Sequence, residues 1–416
     1  MNTTTLIRAA LALTILIGVW LRASHVLDEH RLTPNERAYV YYAAQVHDTG
    51  VSAVPALFNE YRNDPDQWAV AQPIRIGYVF ILAAAMDAVG TTKVEAGMAL
   101  SFAASVLTLL LIAWLGLRFF DPTVSLAATA LCATAFTEVW LVRGTPEDGV
   151  FGLFGLIQIW LTCEIMRTPK RNWLYALFHL FGMYAVTVKQ SGVFIYGFCA
   201  IWLMGYLYFR EREIRRALIM AAASLAGLAV VCGFYVLMAG SRETAWKVFI
   251  LSFTSNAEAW SYNEECCFGP WTQMPHVLFL LSPLTFVLSL TGIAVIAAPR
   301  KWVPSLTTEQ RCCGAICAIM AVGFVCMFGF FSGMQVLRFI TPGQGASCLL
   351  AGIGLAALLA TAQPYLAKIE YRGLLAMVVV GFLFSMARDY SVFTKAGSAN
   401  GIPELGAILV RSALGR

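Results

Sequence analysis

Roughly eleven stretches of this chain stay apolar for close to the twenty residues that a helix needs to cross a bilayer. They cover residues 6–21, 98–117, 123–141, 149–166, 173–188, 191–208, 217–238, 277–298, 312–331, 346–360 and 373–387. In lipid a backbone must satisfy every N–H and C=O internally, so such runs fold as helices. Composition agrees: 59% of the 416 residues are hydrophobic and 13% charged, against about 25% charged in soluble domains. The expectation is an all-α polytopic membrane protein, one domain over 1–416 with about eleven transmembrane helices. After Arg8 the apolar run continues to Trp20 with no small-residue cleavage site, so it reads as a retained anchor.

Charge orients the helices. Arg167, Lys170 and Arg171, then Arg210, Arg212, Arg215 and Arg216, then Arg300 and Lys301, then Lys368 and Arg372 fall on alternate connections. The positive-inside rule places these in the cytoplasm. The net charge of +5 therefore marks topology, and nucleic acid is not an expected partner. Alternation puts 26–97, 143–148, 240–276, 332–344 and the junction at Lys189 on the outer side, with 388–416 as an outer tail. Residues 74–89 are apolar enough to span, but spanning would break this parity. The run also holds Arg75 and Asp87. It is expected as an interfacial or re-entrant helix within a long first outer loop. A second such helix should start at Pro34-Asn35-Glu36-Arg37, with Pro and an acid in its first turn.

The same orientation carries Glu36, Asp148, Lys189 and Arg338 to one membrane face. Ionisable groups at such depth are costly, and so are candidates for function. Glu36 could accept a proton from a hydroxyl, or simply stabilise its helix start. Asp148 closes the turn from Arg143 through Glu147 and begins the next helix. Lys189 sits between two apolar helices with almost no loop, where an outer cation either snorkels to headgroups or meets an anion. Arg338 offers a donor fork suited to phosphate, or an ion pair to Glu36 or Asp148.

The loop 255–276 contains Trp260, Tyr262, Glu264, Glu265, Trp271 and His276. These fit an interfacial aromatic belt or, alternatively, a sugar-stacking surface. Most cysteines, such as Cys132, Cys163, Cys199 and Cys232, lie in apolar segments as small hydrophobes. His25, His30 and His47 lack ligand-like spacing, and no zinc motif occurs.

These residues resemble the GT-C membrane glycosyltransferases of the aminoarabinose-transferase and protein-mannosyltransferase type. Those enzymes follow a first helix with an Asp-Glu pair before a Tyr-rich interfacial helix, and Asn35-Glu36 with Tyr39 resembles that element. Gln72-Pro73-Ile74 with Tyr78 resembles the family's Pro element. Asp148 resembles its boundary Asp, Lys189-Gln190 its Lys-Gly, and Arg338-Phe339 with Pro342 its late Arg-aromatic element. Asn35 departs from the family's first Asp, and an amide cannot take a proton.

The resemblance implies an inverting glycosyltransferase at the outer face of a bacterial inner membrane. Its partners would be a polyprenyl-phosphate-linked sugar and a lipid, glycan or protein acceptor. Asp148 or Glu36 would act as base. Arg338, Lys189, Arg143, Asn35, Tyr39, Gln72 and Arg75 would contact substrate. A divalent metal is compatible with these acids, although no ligand spacing indicates one. The alternatives are a flippase for an anionic lipid-linked glycan, which should carry mid-membrane polar residues and inverted repeats, and a non-catalytic relative, which Asn35 favours.

Overall fold

The computed structural model describes residues 3–26, 33–69, 72–135, 138–139, 142, 144, 146–259, 273–299, 306–327, 341–362, 381 and 383–384. Several expectations lie outside these residues: those for Asp28, Glu29, His30, Arg143, the loop positions 260–272, Arg300, Lys301, Arg338, Lys368 and Arg372, almost all of the span at 373–387, and the tail at 388–416.

No strand occurs among the described residues. The helices are α1 Thr3–Val26, α2 Pro34–Thr49, α3 Val54–Asn63, α4 Ile76–Val89, α5 Val94–Phe119, α6 Pro122–Thr134 and α7 Glu147–Arg167. They continue with α8 Asn172–Val188, α9 Gly192–Gly205, α10 Ile214–Ala239 and α11 Arg242–Ala259. The last are α12 Gln273–Leu281, α13 Pro283–Ala297, α14 Thr308–Cys326 and α15 Thr341–Ala362. Seven are long and apolar enough to cross a membrane: α1, α5, α7, α9 with its extension to Arg210, α10, α14 and α15. Between α1 and α5 lie α2, α3 and α4, of 16, 10 and 14 residues, each short of a full crossing. The chain is thus an all-α polytopic membrane protein.

Two expected spans are interrupted. Residues 277–298 read as one helix, but Pro283 lacks an N–H and restricts the residue before it. The helix breaks at Ser282 (φ −146°, ψ 75°) and restarts as α13. The expected helix at 123–141 stops regularly at Thr134. Arg22 of α1, fully buried, meets this end. Its guanidinium donates to the last-turn carbonyls of Ala133 at 3.0 Å and Cys132 at 3.1 Å, and to Ser105 Oγ at 2.7 Å. Carbonyls that a helix end leaves without partners are thereby satisfied. Ser105 Oγ lies 3.0 Å from the carbonyl of Glu138 and 3.3 Å from its carboxylate. Arg22 and Glu138 escaped the sequence reading, since one charge inside a long apolar run carries no partner information.

The chain divides into two compact units. One comprises Met1–His25, Ser105–Trp140 and Glu265–Arg416. Within it α15 packs against α6, α13 and α14. A Cβ on Gly292 would fall 2.1 Å from Leu350 O, and one on Gly354 2.3 Å from Leu288 O. Small residues here let α13 and α15 meet backbone to backbone, as membrane helices do.

The other unit comprises Val26–Ala104 and Leu141–Glu264. Helices α7 to α10 bundle together, and α4 packs between α2 and α8. α10 turns Leu218, Leu225 and Leu237 outward. Inside, the fully buried Gln158 donates to Phe178 O at 3.0 Å, and His179 Nδ1 lies 2.5 Å from the Tyr196 hydroxyl. Apolar side chains outside and paired polar groups inside are what a lipid solvent demands.

Candidate active site

α7 begins with two acids. Pro146 occupies the N-cap, and Glu147 and Asp148 fill the first turn, where the helix dipole favours negative charge. Glu147 is 1% and Asp148 0% exposed. Carboxylates so deep require cations, and two segments supply them. α8 ends at Val188, and Lys189 follows in extended conformation. Its ammonium, 4% exposed, pairs with Asp148 Oδ1 and lies 3.2 Å from Glu147 Oε1. It also lies 5.6 Å from the centroid of the Phe151 ring.

Arg75 precedes α4 at its N-cap. Its guanidinium bonds Glu147 Oε1 and donates to the Tyr39 hydroxyl. Burial pulls the Arg75 pKa down, but Glu147 and Tyr39 outweigh it and the net direction is up. Arg75 is therefore a permanent cation. Arg75 and Lys189 share Glu147 Oε1, and α4 passes close to the end of α8 at Gly77, where a Cβ would meet Thr187 Oγ1 at 2.2 Å and the Thr187 carbonyl carbon at 2.8 Å. Tyr184 clamps the same contact, donating to Gly77 O at 2.9 Å.

α2 closes the cluster. Tyr39 is fully buried and meets Tyr78 edge-on, with centroids 5.1 Å apart. Burial, then the charges of Glu147, Tyr39, Glu36 and Asp148, raise the Tyr78 pKa and keep its hydroxyl protonated. Glu36 thus acts on the same group as the α7 acids. It also fills a structural role: Thr33 and Glu36 form a capping box, with Thr33 N donating to Glu36 Oε2 at 2.8 Å. Asn35 is half-buried beside it. Gln72 is buried, and its carbonyl accepts the Arg75 N–H at 3.4 Å.

The structure therefore joins Asp148, Lys189, Arg75 and Tyr39, with Gln72 beside Arg75 and Glu36 within electrostatic reach. In the sequence Glu147 stands out only as the acid beside Asp148, and Tyr78 only through the resemblance; neither is assigned a site role there, and the structure brings both into the cluster. Among the described residues no group of three His, Cys, Asp or Glu side chains is arranged to hold a metal ion.

No protein-family model and no curated protein matches the chain. Solved structures do. The oligosaccharyltransferase AglB from Archaeoglobus fulgidus, in complex with an inhibitory peptide and a dolichol-phosphate, matches with a TM-score of 0.61 at 11% identity. That match covers 95% of this chain and 56% of that one, so this chain spans a little over half of the archaeal protein's length. ArnT from Cupriavidus metallidurans, bound to undecaprenyl phosphate, matches with a TM-score of 0.51 at 15% identity, over 100% of this chain and 79% of that one. The fold is that of the GT-C membrane glycosyltransferases. Within this GT-C fold, the described charge cluster lies wholly in the unit that contains α2–α4 and α7–α11. A further structure of the archaeal enzyme is a complex with zinc and sulfate. In this chain both α7 acids are paired with cations.

Proposed function

We propose that the chain is an inverting glycosyltransferase that moves a sugar from a polyprenyl-phosphate carrier to a lipid, glycan or protein acceptor. The reading places it in a bacterial inner membrane with its site on the periplasmic or extracellular side. The observation that carries it is the buried Arg75–Glu147–Lys189–Asp148 network. It occurs on a fold shared with a structure bound to undecaprenyl phosphate and one with a dolichol-phosphate.

Lys189, Arg75 and Arg338 hold the donor phosphate. Arg143, Asn35, Tyr39 and Gln72 contact the substrate around it. When the phosphate draws Lys189 away, Asp148 loses its counter-charge and becomes more basic. Donor binding thus arms the base. The acceptor hydroxyl oxygen bonds to the anomeric carbon as the bond from that carbon to the phosphate oxygen breaks. Polyprenyl phosphate leaves with the electron pair, steadied by the cations. The hydroxyl proton passes to Asp148. Glu36 is the second candidate base, with one oxygen engaged in its capping box.

Reconstituted protein with a polyprenyl-phosphate sugar tests this. Lys189→Ala, Arg338→Ala and Asp148→Ala should each lose transfer, Asp148→Ala by roughly 10²–10⁴-fold. Full transfer by all three, correctly folded, overturns the proposal. Asn35 favours a second reading, a protein that binds the donor without consuming it. In that case the bound donor stays intact when acceptors are added.

A further inference from the structure

A shallow, open recess separate from the charge cluster is lined by Pro34, Arg37, Ala38, Tyr41, Tyr42 and Gln67, with a volume of about 360 Å³. Small-molecule sites range over roughly 300–1,000 Å³. Its α2 residues recur at i, i+3, i+4, i+7 and i+8, which is one helix face. At about 100° per residue, that face lies opposite the one bearing Glu36 and Tyr39. One helix, about 10–12 Å across with side chains, therefore separates the recess from the cluster.

The lining is held by a partner behind it. Glu60 of α3 accepts from the Tyr41 hydroxyl at 3.2 Å and from the Gln67 amide at 2.7 Å. A single carboxylate so fixes an aromatic ring and an amide. Gln67 Nε2 also lies 3.3 Å from Asp64 Oδ2. With both amide protons engaged, Gln67 keeps its carbonyl oxygen as an acceptor. Tyr41 is 43% exposed, and its ring lies 5.7 Å from that of the buried Tyr42. An outward-facing aromatic ring beside an amide and a guanidinium offers an apolar face with polar groups at its edge. A pyranose presents the matching surfaces: a C–H face and a rim of hydroxyls.

We propose that this recess binds a pyranose ring, one belonging to a sugar-bearing acceptor and lying at least one unit from the ring that reacts. The word acceptor rests on the glycosyl-transfer reading; the ring-binding site does not. The test is saturation-transfer NMR on the full chain in lipid nanodiscs, with methyl α-D-glucopyranoside, methyl β-D-galactopyranoside and methyl α-D-mannopyranoside, and open-chain sorbitol as control. At least one glycoside should receive saturation while sorbitol does not. Tyr41→Ala and Gln67→Ala, with melting temperatures unchanged, should each weaken that glycoside roughly tenfold, and Leu225→Ala, at an outward-facing position of α10, should leave it unaltered. No signal from any glycoside, equal signal from sorbitol, or undiminished binding in Tyr41→Ala overturns the site. Glycoside binding without any transfer keeps the recess and removes the transferase reading. Transfer without glycoside binding does the reverse.

Discussion

At the scale of residues, four charges of alternating sign share one buried cluster, and each is tolerated only because of the next. Removing one partner of a buried pair leaves an uncompensated charge and costs about 3–5 kcal/mol, whereas replacing both with apolar groups is often neutral. Lys189→Ala should therefore lower the melting temperature sharply. The double change Lys189→Met with Asp148→Leu should recover most of it, although without transfer. Thermal unfolding in detergent reads both; equal melting of the wild type and Lys189→Ala would contradict the pairing. Asp148 and Lys189 were legible in sequence because they stand where apolar helices end and a charge has few other uses. Arg75 was legible as an interruption of an apolar run. Glu147 was not, because either of two adjacent acids at a helix start can be the structural one. Only the positions of Arg75 and Lys189, set by distant segments, show that both are engaged.

At the scale of elements, the site depends on how closely α4 and α8 approach. Gly77→Ala puts a methyl into the Thr187 backbone, and the strain must move α4, α8 or both. Arg75 then separates from Lys189. Transfer should fall by at least about tenfold, given that misplacements near 1 Å can cost 10²-fold. Full activity in Gly77→Ala would show that this contact does not set the geometry. In the other unit, Arg22→Leu removes the guanidinium from the Ala133 carbonyl, takes one of two donors from the Cys132 carbonyl, and leaves Ser105 Oγ without the hydrogen bond it accepts. Each orphaned polar group costs about 1–3 kcal/mol. The variant should melt well below the wild type, and Arg22→Lys should restore only part, since a point charge cannot span two carbonyls as a fork does. The long apolar helices were readable from apolar length; α3 and α11, which lie in segments expected as outer loops, were not. The early stop of α6 was not, because the side chain that meets its end, Arg22, lies on α1. The break before Pro283 could have been read from the proline itself.

At the scale of the whole molecule, the GT-C fold brings short helices of the first long connection against helices of the bundle, and charged groups meet at their junction. Loop charge and helix parity in the sequence already assigned Glu36, Asp148 and Lys189 to one face. The structure places all three in one compact unit. In the proposed function this cluster holds the phosphate of a polyprenyl-linked sugar. The most direct measurement is native mass spectrometry of the purified protein, with the co-purifying lipid released and fragmented. The expected result is a polyprenyl phosphate or its glycosylated form on the wild type, sharply depleted in Lys189→Ala and Asp148→Lys. Wild-type protein carrying only bulk phospholipid, or Lys189→Ala retaining the polyprenyl phosphate in full, would contradict it.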